Sequence, residues 1–77
     1  MSSFRNYRKE MQQKLEENQT INALKSSVRS LENRQADYAE KAKEALKHGN
    51  KSQYTTYVAM LKNVMFNLAQ TQDMLIN

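Results

Sequence analysis

The apolar residues of this chain recur at steps of three and four along most of its length, which predicts α-helices. Within residues 23–47 these steps alternate regularly, as they do in helices that pair as a left-handed coiled coil. The predicted seam of this helix consists of Leu24, Val28, Leu31, Gln35, Tyr38, Ala42 and Ala45. The opposite face carries mostly charged residues, which is typical of a helix surface in contact with water.

A second helix is predicted over residues 51–76, with an inner face that covers about a third of its circumference. That face consists of Tyr54, Tyr57, Val58, Leu61, Val64, Met65, Leu68 and Leu75. Met60, Phe66 and Met74 lie off this face. A helix with apolar side chains on more than one side is expected to contact more than one neighbour.

The predicted bend between the two helices is His48, Gly49 and Asn50. Gly49 is the only glycine in a chain that has no proline. Glycine suits the position just after a helix end, where the backbone takes a positive φ that is costly for other residues. Asn50, or Ser52 if the loop is longer, can then cap the second helix.

The predicted fold class is therefore all-α: a long antiparallel, coiled-coil-like helical hairpin that forms one domain over residues 1–77. The first helix is expected over about 3–47. A polar segment at 17–21 interrupts its apolar register, and Thr20 could cap a new helix there, giving a three-helix bundle. Continuity is favoured because this segment contains neither glycine nor proline.

An apolar stripe of Phe4, Tyr7, Met11 and Leu15 precedes this segment. A continuous first helix is roughly 65 Å long and the second roughly 40 Å, so the second covers the first only back to about residues 21–23. The stripe then needs a partner from outside the chain. The residues predicted to contact an oligomer or a partner are Phe4, Tyr7, Met11, Leu15, Met60, Phe66 and Met74.

The net charge of +4 is concentrated in two basic segments. Residues 1–14 have four bases and one acid, and residues 41–51 have the same balance, so each segment carries +3. Such segments favour anionic partners, either a membrane surface or nucleic acid, although an ordinary solvated surface is the simpler explanation of each segment alone. The predicted anionic-surface contacts are Arg5, Arg8, Lys9, Lys43, Lys47 and Lys51.

The sequence offers little chemistry for catalysis, and we expect a non-enzymatic protein with no small-molecule substrate and no cofactor. Glu40, Glu44 and His48 share one helix face, but ordinary ion pairs such as Glu44 with Lys47 or His48 explain that row better than a metal site. There is no cysteine, no apolar run that could span a bilayer, and no visible signal peptide. We therefore expect a cytoplasmic protein, peripheral to a membrane if it binds one.

Residues 39–51, AEKAKEALKHGNK, form an alanine- and lysine-rich helix end followed by a short Gly-Asn bend. With the second helix that follows, residues 36–75 resemble the helical-hairpin core of ESCRT-III and phage-shock protein A type membrane-remodelling proteins. The chain is much shorter than full members of that family and lacks their later helices. The resemblance implies self-assembly on membranes, with Arg5, Arg8 and Lys9 in contact with lipid.

The function predicted from these features is that of a helical assembly or interaction module that acts by helix–helix association. In one version it self-assembles at an anionic membrane surface. The alternatives are a small basic nucleic-acid-binding bundle and a monomeric adaptor for a partner helix. The helical, apolar pattern continues up to Asn77, which predicts that the sequence is part of a longer protein.

Overall fold

The computed structural model describes residues 2–76, apart from the side chain of Ser2. It confirms the all-α helical hairpin: α1 spans Ser2–Lys47, and α2 spans Lys51–Ile76 and packs against it. The outermost positions of the predicted domain, Met1 and Asn77, lie outside the described residues.

Helix α1 is continuous, and it alone sets the length of the molecule. Its 46 residues correspond to about 69 Å at 1.5 Å per residue, close to the 72 Å long axis of a structure only 16 and 14 Å across. The Thr20 hydroxyl donates to the Glu16 carbonyl oxygen at 3.0 Å, within the helix. The alternative in which Thr20 caps a separate helix is therefore wrong, because its hydroxyl bonds back to the preceding turn.

Gly49 and Asn50 form the turn that follows α1, and Asn50 also caps the N-terminus of α2. Gly49 has a φ of +70°. Its N–H donates to the Leu46 carbonyl, and the Asn50 N–H donates to the Ala45 carbonyl at 2.8 Å, the two bonds of a Schellman motif. The Asn50 Oδ1 accepts from the Gln53 N–H at 3.1 Å. Asn50, rather than Ser52, is therefore the N-cap of α2.

The predicted seam of α1 is confirmed. The α1 residues that are buried or half-buried in the described part of the chain are Leu24, Val28, Leu31, Gln35, Tyr38, Ala42 and Ala45. The most enclosed residues of the hairpin, at 5–9% exposure, are Ala42, Ala45, Val64 and Leu68. The small alanine side chains allow the two backbones to approach closely near the bend.

The inner face of α2 differs from the prediction at three positions. Tyr54 is 37% exposed and Met65 49% exposed, so neither is enclosed, whereas Thr71 is half-buried. Two paired helices enclose only two positions in each heptad, and Met65 occupies the position next to one of them, at the edge of the interface. Tyr54 lines an open groove together with the small side chains of Ala39 and Ala42, which leave part of its ring exposed.

Candidate helix-association site

The N-terminal part of α1 extends beyond the end of α2. The last residues of α2, Met74 to Ile76, lie beside Thr20 and Leu24. All residues from 3 to 23 are exposed. We call residues 3–19 the uncovered arm. At 1.5 Å per residue it projects about 25 Å past α2.

The uncovered arm carries the apolar stripe predicted from the sequence. Phe4, Tyr7, Met11 and Leu15 are each 56–62% exposed. These side chains lie on one face of α1 at helical spacing. Apolar side chains scattered over a surface are ordinary, but a row of four at helical spacing on an isolated helix is typical of a surface that another helix covers.

Polar residues form a ridge directly beside the stripe, each following a stripe residue in sequence. This flank consists of Arg5, Arg8, Gln12 and Glu16, all exposed. It is basic towards the N-terminus and acidic towards α2. The Arg8 guanidinium carbon lies 5.2 Å from the centre of the Phe4 ring, a cation–π contact one turn apart. The guanidinium therefore lies at the edge of the stripe, where a bound partner or surface would meet it.

A shallow groove lies where α2 ends against α1. We call it the terminal groove; its walls include Glu17, Ile21, Met74 and Ile76. Ile21 is 41% exposed and Ile76 82% exposed. The groove is a separate exposed apolar surface, because Ile21 lies about 120° around α1 from Leu15. The sequence does not predict it, because it depends on where α2 stops along α1.

The other predicted contact residues lie on different parts of α2. Met74 is exposed next to the terminal groove, so it belongs to the surface at the open end of the hairpin. Phe66 is 63% exposed on the side of α2 opposite the seam, and Met60 is 37% exposed beside the seam. Phe66 lies about two to three helical turns further along the hairpin than Met74, roughly 12 Å away along the axis. The structure therefore brings Met74, but not Phe66 or Met60, to the uncovered arm.

The two basic clusters stand at opposite ends of the molecule. Arg8 and Lys47 belong to the same straight helix, and 39 positions separate them, which corresponds to about 58 Å. Lys43, Lys47 and Lys51 are exposed around the bend. Because the clusters are so far apart, a small anionic ligand cannot contact both. Only an extended anionic surface or polymer is long enough to contact both clusters.

A cluster of aromatic and charged residues that the sequence analysis did not predict joins the two helices near the middle of the seam. The rings of Tyr38 and Tyr57 stack with centroids 6.4 Å apart. Lys41 Nζ lies 5.9 Å from the centroid of Tyr57 and 3.0 Å from Asp37 Oδ2. The hydrogen bond and charge of Asp37 raise the pKa of Lys41. The i, i+4 spacing of Asp37 and Lys41 was a usable signal for this pair.

At the bend, His48 Nε2 lies 3.4 Å from Glu44 Oε2, an ion pair that forms when the imidazole is protonated. Within residues 2–76, no three acidic, histidine or cysteine side chains come together as metal ligands. Neither described helix combines the length and apolar character that crossing a bilayer requires.

No protein family, curated protein or solved structure matches this chain. The resemblance of residues 36–75 to the ESCRT-III and phage-shock protein A hairpin stays a prediction from sequence.

Proposed function

We propose that this protein is a non-enzymatic module that acts by helix–helix association through its uncovered arm. The observation that carries the proposal is the apolar stripe of Phe4, Tyr7, Met11 and Leu15. These side chains are more than half exposed on the part of α1 that extends beyond the end of α2. Among the described residues, the hairpin itself encloses four side chains. A protein with so small a core is stabilised when it buries a second apolar surface against a partner.

The expected strength of this association is modest. Burying what remains exposed of each stripe residue contributes about 1–2 kcal/mol, so two chains contribute about 8–16 kcal/mol in total. Association costs about 4–15 kcal/mol in lost freedom of motion and in ordering of side chains. The small difference corresponds to a dissociation constant in the micromolar range or weaker.

Sedimentation equilibrium of the full chain, from about 1 to 300 µM, tests this proposal in the expected affinity range. The wild type is expected to associate, and Leu15→Gln to weaken association by about thirtyfold or more, because each dimer loses two buried leucines. Leu46→Gln is a matched control, because Leu46 is 62% exposed and Leu15 is 58% exposed, but Leu46 lies near the bend. A wild type that stays monomeric, or an equal effect of both variants, would contradict the proposal.

A second version of the function is peripheral binding of the same arm to an anionic membrane from the cytoplasm. It is supported by the exposed Arg5 and Arg8 beside the stripe, since a basic amphipathic helix lies in a membrane interface with its apolar face inward. The family resemblance of residues 36–75 favours the same role. Flotation with phosphatidylserine vesicles, and with neutral vesicles as a control, tests it.

The matched variants for the vesicle experiment are Arg5→Gln/Arg8→Gln on the arm and Lys43→Gln/Lys47→Gln at the bend. Both pairs remove two exposed positive charges. Only the arm variant is expected to lose binding, because only the arm combines bases with an apolar stripe. Equal losses in both variants would indicate attraction to net charge alone and would exclude insertion of the arm.

A further inference from the structure

We infer that the partner of the uncovered arm is the same arm of a second copy, packed antiparallel about a two-fold axis near Glu10. This inference rests on the proposed function and specifies its partner and geometry. Three features of the described residues support it: the length of the arm, the spacing of its stripe and the order of charges along its flank.

The length of the arm matches the space available to a second arm. In an antiparallel pair centred near Glu10, residue 3 of one copy lies opposite residue 17 of the other. The N-terminal end of the partner's arm therefore lies about 4.5 Å short of the level of Thr20, beside which α2 ends. The two arms overlap along nearly their whole length, and neither extends along the axis to the end of α2.

The apolar stripe is compatible with its own reversal. Its intervals are three, four and four residues in one direction, and four, four and three in the other. In the antiparallel pair, Phe4 of one copy lies over Leu15 of the other, and Tyr7 lies over Met11, so the four side chains of each copy interleave.

The charges on the flank are complementary in the antiparallel orientation, where the same flank of the two copies meets itself in reverse order. Arg5 of one copy lies opposite Glu16 of the other, twice per dimer, and Arg8 lies opposite Gln12, whose amide oxygen can accept its N–H. In a parallel pair this flank would instead face the second flank of the stripe in the other copy, so Arg5 would not meet Glu16. Opposed helix dipoles also favour the antiparallel pair.

The second flank of the stripe, Asn6, Glu10 and Lys14, is compatible with this geometry. Glu10 meets its own copy near the two-fold axis, which is unfavourable by itself. Lys14 lies one turn away on each chain, at the i, i+4 spacing that pairs it with Glu10. The two lysines therefore offset the repulsion between the two glutamates.

A charge exchange at the Arg5–Glu16 pair tests this arrangement by sedimentation equilibrium at low salt. Arg5→Glu alone and Glu16→Arg alone each turn two attractive pairs into two repulsive pairs, so each is expected to raise the dimer dissociation constant about tenfold. Mixing the two single variants restores both attractive pairs, and so does the double variant Arg5→Glu/Glu16→Arg. Both are expected to associate as strongly as the wild type.

Each other outcome overturns the inference in a different way. If the wild type associates and neither single variant is weakened, this pairing is absent, while the proposed association stands. If the single variants are weakened but the equimolar mixture is not restored, Arg5 and Glu16 do not meet across the interface, and the antiparallel pairing is wrong. If all forms stay monomeric and bind anionic vesicles, the arm packs on lipid. Monomers that bind no vesicles overturn both this inference and the proposed function.

Disulfide cross-linking provides an independent measure of orientation, because the wild-type chain contains no cysteine. Glu10→Cys places two thiols next to the proposed two-fold axis and is expected to cross-link on oxidation. Ser3→Cys places them about 21 Å apart along the axis and is expected to remain unlinked. Efficient cross-linking of Ser3→Cys would contradict the antiparallel pair, because that pair holds the two thiols too far apart to form a disulfide.

Discussion

Replacement of Gly49 tests the physical basis of the hairpin bend. Gly49 has a φ of +70°, and a Cβ added there would meet no heavy atom within 4 Å. The effect of alanine is therefore purely conformational. An L-residue in this region costs about 1–2 kcal/mol, and alanine recovers about 0.4–1 kcal/mol by restricting the unfolded chain. We expect Gly49→Ala to lower the free energy of unfolding by about 0.5–1.5 kcal/mol.

The mirror-image residue gives a matched control, and a chain of 77 residues is within reach of chemical synthesis. D-alanine at position 49 favours a positive φ and restricts the unfolded chain equally, so it is expected to stabilise the hairpin by about 0.4–1 kcal/mol. Urea unfolding followed by circular dichroism, at a concentration where the chain is monomeric, measures both effects. Equal stabilities of the L- and D-alanine forms would refute the argument, because their only difference is the preferred sign of φ.

Two further predictions concern the seam and its surface. Leu68→Ala is expected to lower the free energy of unfolding by about 2–4 kcal/mol, because Leu68 is one of the four most enclosed side chains. Phe66→Ala is expected to change unfolding by less than about 0.5 kcal/mol, because Phe66 is 63% exposed, and to leave association through the uncovered arm unchanged, because Phe66 lies on the far side of α2. Because the Asp37 contact raises the pKa of Lys41, the stability from this pair is present at neutral pH and is lost as pH rises above about 10.5.

The controls for these predictions use the same unfolding assay. A weakened association in Phe66→Ala would show that two chains also meet through the outer side of α2, as the sequence predicted, and not through the uncovered arm alone. For Lys41, the pH dependence is compared with that of Asp37→Asn, which removes the partner and leaves the other titrating groups in place. The two curves should converge above the pKa of Lys41. Parallel curves across that range would show that the pair contributes nothing.

Much of the hairpin was predictable because its determinants are local. The heptad spacing from Leu24 to Ala45 identified the whole seam of α1, and Gly49 followed by Asn50 identified the bend. Thr71 also had a sequence signal, since Tyr57, Leu61, Val64, Leu68, Thr71 and Leu75 continue the alternation of four and three. A threonine is easily passed over at such a position because its hydroxyl makes it look polar. In the structure this hydroxyl donates to the Asn67 carbonyl at 2.8 Å.

The candidate site was only partly predictable. The stripe of Phe4, Tyr7, Met11 and Leu15 was evident from spacing, but its exposure depended on whether α1 breaks near Thr20. The sequence allowed both possibilities, since a threonine hydroxyl can cap a new helix or bond back to the preceding turn. Only the folded chain, where the hydroxyl bonds to the Glu16 carbonyl, shows that the stripe stands on a continuous helix.

By itself, then, the sequence determined the helices, their seam and the bend between them, because helical periodicity and capping act between residues a few positions apart. The tertiary structure decided which apolar residues are covered, because covering depends on the register and relative lengths of two helices. It showed that α2 ends beside Thr20, which created the uncovered arm and the terminal groove. It also placed the two basic clusters at opposite ends of a 72 Å rod, a separation that follows from the straightness of α1.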